Sequence, residues 1–157
     1  MKIKIFSVYY GKNNYILKDN IITPIQGGAI IEDNELIELS DAICPEKSKK
    51  NHIINEFSVL YVIWKYYSNN LEYVGLCHYR RYFVLKKYKY FFESLVRILK
   101  KTVGYEYFIK KTNIYIEKNI DKMDGIVPKL KKIECTIKEH YKKNHIKGHY
   151  EIFEDVI

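Results

Sequence analysis

Three apolar runs constrain the chain most, because they differ in length and period. KIKIFSVYY (2–10) alternates and then turns wholly apolar, as a core strand does. EYVGLCHY (72–79) is a second short, apolar, β-rich stretch. Between them, IINEFSVLYVIWKYY (53–67) is apolar on nearly every side and too long for a strand, so it predicts a buried helix. A helix and a strand following an earlier strand are βαβ grammar and imply an α/β fold with parallel strands.

The remaining stretches fit around that frame. Gly11, Asn13 and Asn14 end the first strand with turn chemistry. IITPIQGGAII (21–31) reads as a further extended piece, whose Gly27–Gly28 pair lets the backbone approach a ligand closely. Residues 32–51, with Asp33, Asp41, Pro45 and a lysine cluster, read as a long polar surface loop. The segment 86–111 carries eight basic and two acidic residues, and its first part predicts a basic amphipathic helix. DGIVP (124–128) reads as a short strand closed by proline, and 136–145 and 149–157 as helices on either side of Gly148. No internal repeat interrupts a chain of 157 residues, one domain's worth.

Composition bounds the function classes. The net charge is +8, yet only three of the 27 basic residues are arginine. Lys, Ile, Tyr and Asn share A/T-rich codons, so coding bias accounts for most of the lysines, which read as a solvated face. A phosphate-gripping chain favours arginine, whose planar fork binds bidentately. Cys44, Cys77 and Cys135 form no CxxC pair, which fits a reducing cytoplasm and offers neither a disulfide framework nor a zinc knuckle. The chain has no run of 18 apolar residues, and the first apolar run is too short for a signal peptide. A cytoplasmic protein is expected.

Two of the three arginines stand side by side in EYVGLCHYRRYF (72–83). Ligands of open α/β sheets bind beyond the carboxyl ends of the strands, which is where His78, Arg80 and Arg81 would fall. Adjacent guanidiniums there make a clamp for a diphosphate, provided the chain turns, since neighbours in a strand face opposite ways. The alternative is a surface arginine pair beside a histidine packed in its strand.

This stretch resembles the hallmark of DUF4422, a family of bacterial capsular and lipopolysaccharide polysaccharide glycosyltransferases. KIKIFSV and TPIQGGA are similar to the family's opening strand and its PIQ-x-GA segment. Asn51 followed by EFSVLYVIWK (56–65) is similar to its N-x4-E-L-T-A-L-Y-W-x-W-K helix, and DGIVPK and TIKEHYKKNH to its later strand and helix. The resemblance implies a GT-A-like nucleotide-binding sandwich with a central, mostly parallel sheet flanked by helices. It also implies sugar transfer from a nucleotide-diphosphate donor to a glycan or lipid-linked acceptor in capsule or lipopolysaccharide assembly. Donor-binding residues would then be His78, Arg80, Arg81, Tyr9, Tyr10, Gln26 and Gly27. Arg80 and Arg81 would neutralise the leaving diphosphate, Tyr9 and Tyr10 would flank the base, and Gln26 with Gly27 and Gly28 would meet the ribose or sugar. Glu56 is the candidate catalytic base or an acceptor for a sugar hydroxyl, or equally a structural carboxylate.

The sequence departs from the family pattern in three places. No D-x-D triad is present, and DKMD (121–124) has the wrong spacing, so a Mg or Mn cofactor stays open without a motif for it. VYYGKNN stands where relatives carry a Thr-His-Lys type of turn. No N-M-F-I-M-like stretch follows, so residues 1–157 are expected to represent the N-terminal and middle part of the family domain.

Other clusters have plainer readings. His140, His145 and His149 straddle Gly148 and read as a solvated face rather than a metal site. The segment 86–101 fits either a helix packed on its own core or one lying on the inner face of the cytoplasmic membrane. A basic, tyrosine-rich nucleic-acid module would alternate Lys and Tyr on exposed strands. Here Tyr61, Tyr66, Tyr67 and Tyr73 fall inside apolar runs, and no nucleic-acid partner is expected. An inactive relative serving as a structural or partner-binding domain is the remaining rival reading.

Overall fold

The computed structural model describes residues 2–11, 16–32, 37–85 and 103–127, together with Thr136 and Glu139. The chain divides into two compact units, Met1–Gly125 and Ile126–Ile157.

The first unit is built on three parallel strands in the order β2-β1-β3. Strand β1 (Ile3–Tyr9) is central, flanked by β2 (Ile22–Gln26) and β3 (Tyr73–His78). The register pairs Val8 with both Ile25 and His78, so all three strands end at one edge. The carboxylate of Asp19 starts β2 by accepting the backbone N–H of Ile21 and of Ile22, at 2.9 and 2.7 Å.

Alternation along β1 sorts its side chains between two cores. Ile5 packs with Ile22, Cys77, Ile109, Ile116 and Ile120 on one face. Phe6 and Val8 pack with Ile25, Val59, Val62 and Ile63 on the other. Both faces are therefore covered, which is why β1 reads as a nearly continuous apolar run. This is the α/β sandwich layer, a parallel sheet flanked by helices, that a GT-A-like expectation calls for.

The helices follow chain order. After a 3-10 turn (Asp41–Ile43) come α1 (Pro45–Lys49), α2 (Asn51–Ile54) and α3 (Phe57–Val62), which runs on as a π-helical turn through Ile63–Tyr67. Helix α4 (Val103–Asn119) covers the other face of the sheet through Phe108, Ile109, Thr112, Asn113 and Ile116, one stripe at helical spacing. Asn113 donates to Asp19 at 2.6 Å, tying α4 to the start of β2.

Three expectations need correction. Residues 32–51 are no simple surface loop: the described part holds the 3-10 turn, α1 and the start of α2, and it buries Asp41, Ser48 and Asn51. The helix within 53–67 is not covered on all sides, since Val59, Val62 and Ile63 are buried while Phe57 and Trp64 are bare. Residues 124–127 join no strand among the described residues. The segment 86–101 and His140, His145 and His149 lie outside the described residues.

In the second unit, Thr136 and Glu139 form a reciprocal cap. The Glu139 carboxylate accepts the Thr136 backbone N–H at 2.8 Å, and the Thr136 hydroxyl accepts the Glu139 N–H at 3.2 Å. This is the capping box of a helix start, where the 136–145 helix was expected. These bonds hold the Glu139 carboxyl below its ordinary range, the backbone N–H of Thr136 contributing most.

Candidate functional site at the carboxyl edge of the sheet

In the order β2-β1-β3 the chain leaves β1 toward one side and returns on the other. The crevice between the ends of β1 and β3 is thus the topological switch point, where open parallel sheets bind ligands. Two structures flank it.

The first is a cradle after β2. Gly27 continues the ladder by donating to Tyr9 O at 2.9 Å. A Cβ at Gly27 would stand 2.6 Å from the Tyr10 ring, so only glycine lets that ring lie across the loop. Gly28 has φ +68°, and its backbone N–H points inward to Asp41. The wholly buried Asp41 carboxylate accepts four hydrogen bonds: from Gly28 N at 2.8 Å, Ala29 N at 3.0 Å, and the hydroxyls of Ser48 and Ser58 at 2.6 Å each. Ser48 also accepts from Ile30 N at 3.1 Å, and Ser58 from the Asn51 amide at 2.6 Å. A buried charge is tolerated only when its acceptor capacity is used, and here it is.

The Asn51 amide spends its other hydrogen on Asn55 O at 2.8 Å, and that carbonyl also accepts Ser58 N at 3.2 Å. Asn55 carries φ 48° and ψ −129°, the one positive φ at a non-glycine among the described residues. Such strain persists where neighbours over-determine it. The kink at Asn55 separates α2 from α3 and places Glu56 at the head of α3.

The second structure is the arm after β3. Tyr79 N donates to Val8 O at 3.0 Å, then the chain reverses, with Arg81 N donating to His78 O at 2.7 Å. This is the turn that the clamp reading requires. Arg80 and Arg81 both stand exposed on it. The Arg80 guanidinium lies 5.1 Å from the Tyr79 ring, and that ring stacks on Tyr9 at 5.6 Å. Tyr9 is anchored from below by Tyr82, hydroxyl to hydroxyl at 2.7 Å, and by Leu17 N at 2.9 Å.

His78 bridges the two structures, with its ring 5.9 Å from Tyr10 and 4.3 Å from Tyr79. Its Nδ1 accepts the Arg80 N–H at 3.3 Å, so the Nε2 carries the proton and faces away as a donor. Burial lowers the His78 pKa below its ordinary 6.5 and Arg80 lowers it further; the Glu56 charge pulls it back in part, and Arg81 adds the smallest lowering effect. The imidazole is neutral at pH 7. Burial above all, and the Glu56 charge after it, push the Tyr10 phenol up, so it stays protonated. Burial pushes the Cys77 thiol up to about 11, which makes it a core residue and no nucleophile.

The expected site residues thus divide. Tyr10, Gly27, His78, Arg80 and Arg81 meet around the switch point, within the electrostatic reach of the half-buried Glu56. Tyr9 and Gln26 are wholly buried and form the floor beneath it. Sequence reasoning missed Asp41, Ser48 and Ser58, and took Asn51 only as part of a matching stretch. The only local signal was an acidic residue with two small hydroxyl residues downstream, in a segment polar enough to pass for loop.

A divalent cation would need free oxygen ligands. All four acceptor positions of Asp41 are taken, and no three His, Cys, Asp or Glu side chains converge among the described residues. These residues do not fit a metal–diphosphate grip.

Fold and site define a parallel α/β domain with its polar chemistry gathered at the carboxyl edge of the sheet. The chain belongs to the family described as Domain of unknown function (DUF4422), whose model matches residues 4–157. No curated protein and no solved structure matches it. No helix among the described residues is long and apolar enough to cross a membrane.

Proposed function

We propose that the protein binds a nucleoside-diphosphate sugar at this edge and transfers the sugar to a hydroxyl of a cell-surface glycan precursor. The observation that carries the reading is the turn at 78–81. It stations two guanidiniums that cannot lose their charge beside a neutral His78 donor, at the switch point of a parallel sheet.

Negative charge grows on the leaving diphosphate as the glycosidic bond to the donor breaks, and fixed cations aimed there stabilise it. Arg80 and Arg81 supply them. His78 Nε2–H adds a neutral hydrogen bond to a phosphate oxygen, and the Tyr10 ring walls the crevice on the β1 side. The Glu56 carboxylate caps no backbone group at the head of α3, so it is available to take the proton of the acceptor hydroxyl. Asp41 acts at one remove by holding the Gly27–Gly28 backbone against Tyr10.

Isothermal titration with UDP and with GDP tests this, beside an Arg80→Ala/Arg81→Ala variant. The parent should bind one nucleotide, and the variant should bind it at least about tenfold more weakly, since each charge-assisted hydrogen bond is worth about 1.5–3 kcal/mol. A parent that binds neither, or a variant that binds as the parent does, refutes the reading.

A further inference from the structure

Helix α3 presents a bare apolar face. Phe57, Leu60, Tyr61 and Trp64 follow at i, i+3, i+4 and i+7, one stripe of a helix. Phe57 is 71% exposed and Trp64 67%, while the opposite side buries Val59, Val62 and Ile63 in the sheet core. Phe57, Leu60 and Trp64 stand exposed in this stripe, two of them among the most exposed large apolar side chains described, while Tyr61 is half-buried against the core at its edge. Such a stripe marks a contact surface rather than a scatter of single residues.

Its rim is cationic. Lys47 Nζ lies 5.2 Å from the Tyr61 ring, and Lys65 Nζ lies 5.6 Å from Tyr61 and 5.3 Å from Tyr66. The stretch 45–67 holds Lys47, Lys49, Lys50 and Lys65 against Glu46 and Glu56. Large aromatic side chains edged by lysines match the boundary between headgroups and acyl chains, where aromatic rings settle and lysines meet anionic phosphates. A second copy of the chain fits less well. A two-fold contact through this stripe sets the same patch against itself, bringing each lysine rim toward its own kind.

We propose that this face of α3 docks on the surface of an anionic bilayer, with Phe57, Leu60 and Trp64 entering the headgroup region and Lys47 and Lys65 pairing with lipid phosphates. Phe57 directly follows Glu56, so a bilayer met this way lies alongside the wall of the candidate site. The proposal does not depend on sugar transfer: it stands on exposure, spacing and charge alone.

Trp64 is the single tryptophan of the chain and so reports on its own environment. With vesicles containing phosphatidylglycerol, the emission of the full chain should move to shorter wavelength. Phosphatidylcholine vesicles should give a weaker shift, and added salt should reduce the response to anionic vesicles. A Phe57→Ser/Leu60→Ser variant keeps the reporter and changes only exposed positions. It should melt as the parent does and lose about tenfold or more in vesicle binding by flotation. Lys47→Glu/Lys65→Glu should abolish the preference for anionic lipid. Trp64 emission indifferent to vesicles overturns the proposal, and so does undiminished binding of the serine variant, which would place the contact elsewhere. A dimer of the parent in sedimentation that the serine variant dissolves overturns it too, in favour of a second copy.

Discussion

The two structures flanking the crevice are opposites. The cradle after β2 is buried and over-determined: one carboxylate takes four hydrogen bonds, two serines each donate and accept, and Asn51 uses both amide hydrogens. The arm after β3 is exposed, closed by one backbone bond across the turn and leaning on stacked rings. The contrast shows how rigidity and charge are divided. Fixed backbone geometry comes from a network shielded from water, whereas the guanidiniums sit where a charged ligand can reach them and long side chains can adjust. For the nucleotide-binding role proposed above, a site that grips an anion and releases it would gain from having both.

The comparison can be broken most severely at Asp41. Asp41→Ala removes the shared acceptor of the Gly28 and Ala29 N–H groups and of the Ser48 and Ser58 hydroxyls, and should cost about 3–5 kcal/mol. In a chain of this size thermal unfolding should show a fall of about 10 °C or more. A fall of a degree or two would mean that the cradle does not depend on its carboxylate.

Gly27→Ala should come next. Its methyl group must displace the Tyr10 ring or Val59 and should cost about 1–3 kcal/mol, as overpacking does. Denaturant titration gives the value, and loss of the Tyr10–His78 ring contact should appear as a moved His78 proton resonance.

Asn55 sharpens the question of strain. Asn55→Gly should leave stability unchanged or raise it slightly, whereas Asn55→Ala should be less stable than Asn55→Gly by about 1 kcal/mol, because only glycine enters that backbone region freely. Equal stability of the two variants would show that the kink relaxes at no cost.

The arm should respond least. Arg80→Ala/Arg81→Ala should change stability by no more than about 0.5 kcal/mol, since both side chains are exposed. The His78 pKa should rise toward its ordinary 6.5 once the neighbouring charges are gone, followed by proton NMR. The sign for stability follows from linkage. With its pKa lowered in the folded state, His78 takes up a proton more readily in the unfolded chain. Its contribution is complete above pH 6.5 and is lost as pH falls from there through the folded pKa. In the arginine variant this loss should shrink. An unmoved His78 pKa would mean that burial alone sets it.

How much of this was legible depends on how local the cause is. The parallel strands were legible because a sheet covered on both faces demands nearly continuous apolar runs, and IKIFSVY and YVGLCH supply them. The arm was legible because its signal is compositional, two scarce arginines next to a histidine at a strand end. The resemblance located both, along with Gly27 and Glu56.

Asp41 was not legible. Its partners lie 12 or 13 residues before it in Gly28 and Ala29, and 7 and 17 after it in Ser48 and Ser58. No periodicity or spacing rule spans such a set, so a residue that is wholly buried looked like part of a polar loop. The assignment of Tyr9 and Gln26 to the ligand surface came with the resemblance, which says nothing of which side chains the core encloses. Their burial beneath the crevice follows from Tyr82 folding back under β1 and from Leu39 pairing with Gln26.

Helix α3 makes the same point from the other side. An all-round apolar sequence predicts burial, yet only packing decides which face the core takes, and it took Val59, Val62 and Ile63 and left Phe57 and Trp64 in the open. The sequence by itself determined the strands, the helix and the cationic arm, because apolar period and residue chemistry act over a few neighbouring positions. Tertiary structure alone decided the Asp41 cradle, the buried floor and the bare face of α3, because these arise when distant segments compete for the same interior and the polar groups enclosed there must find partners.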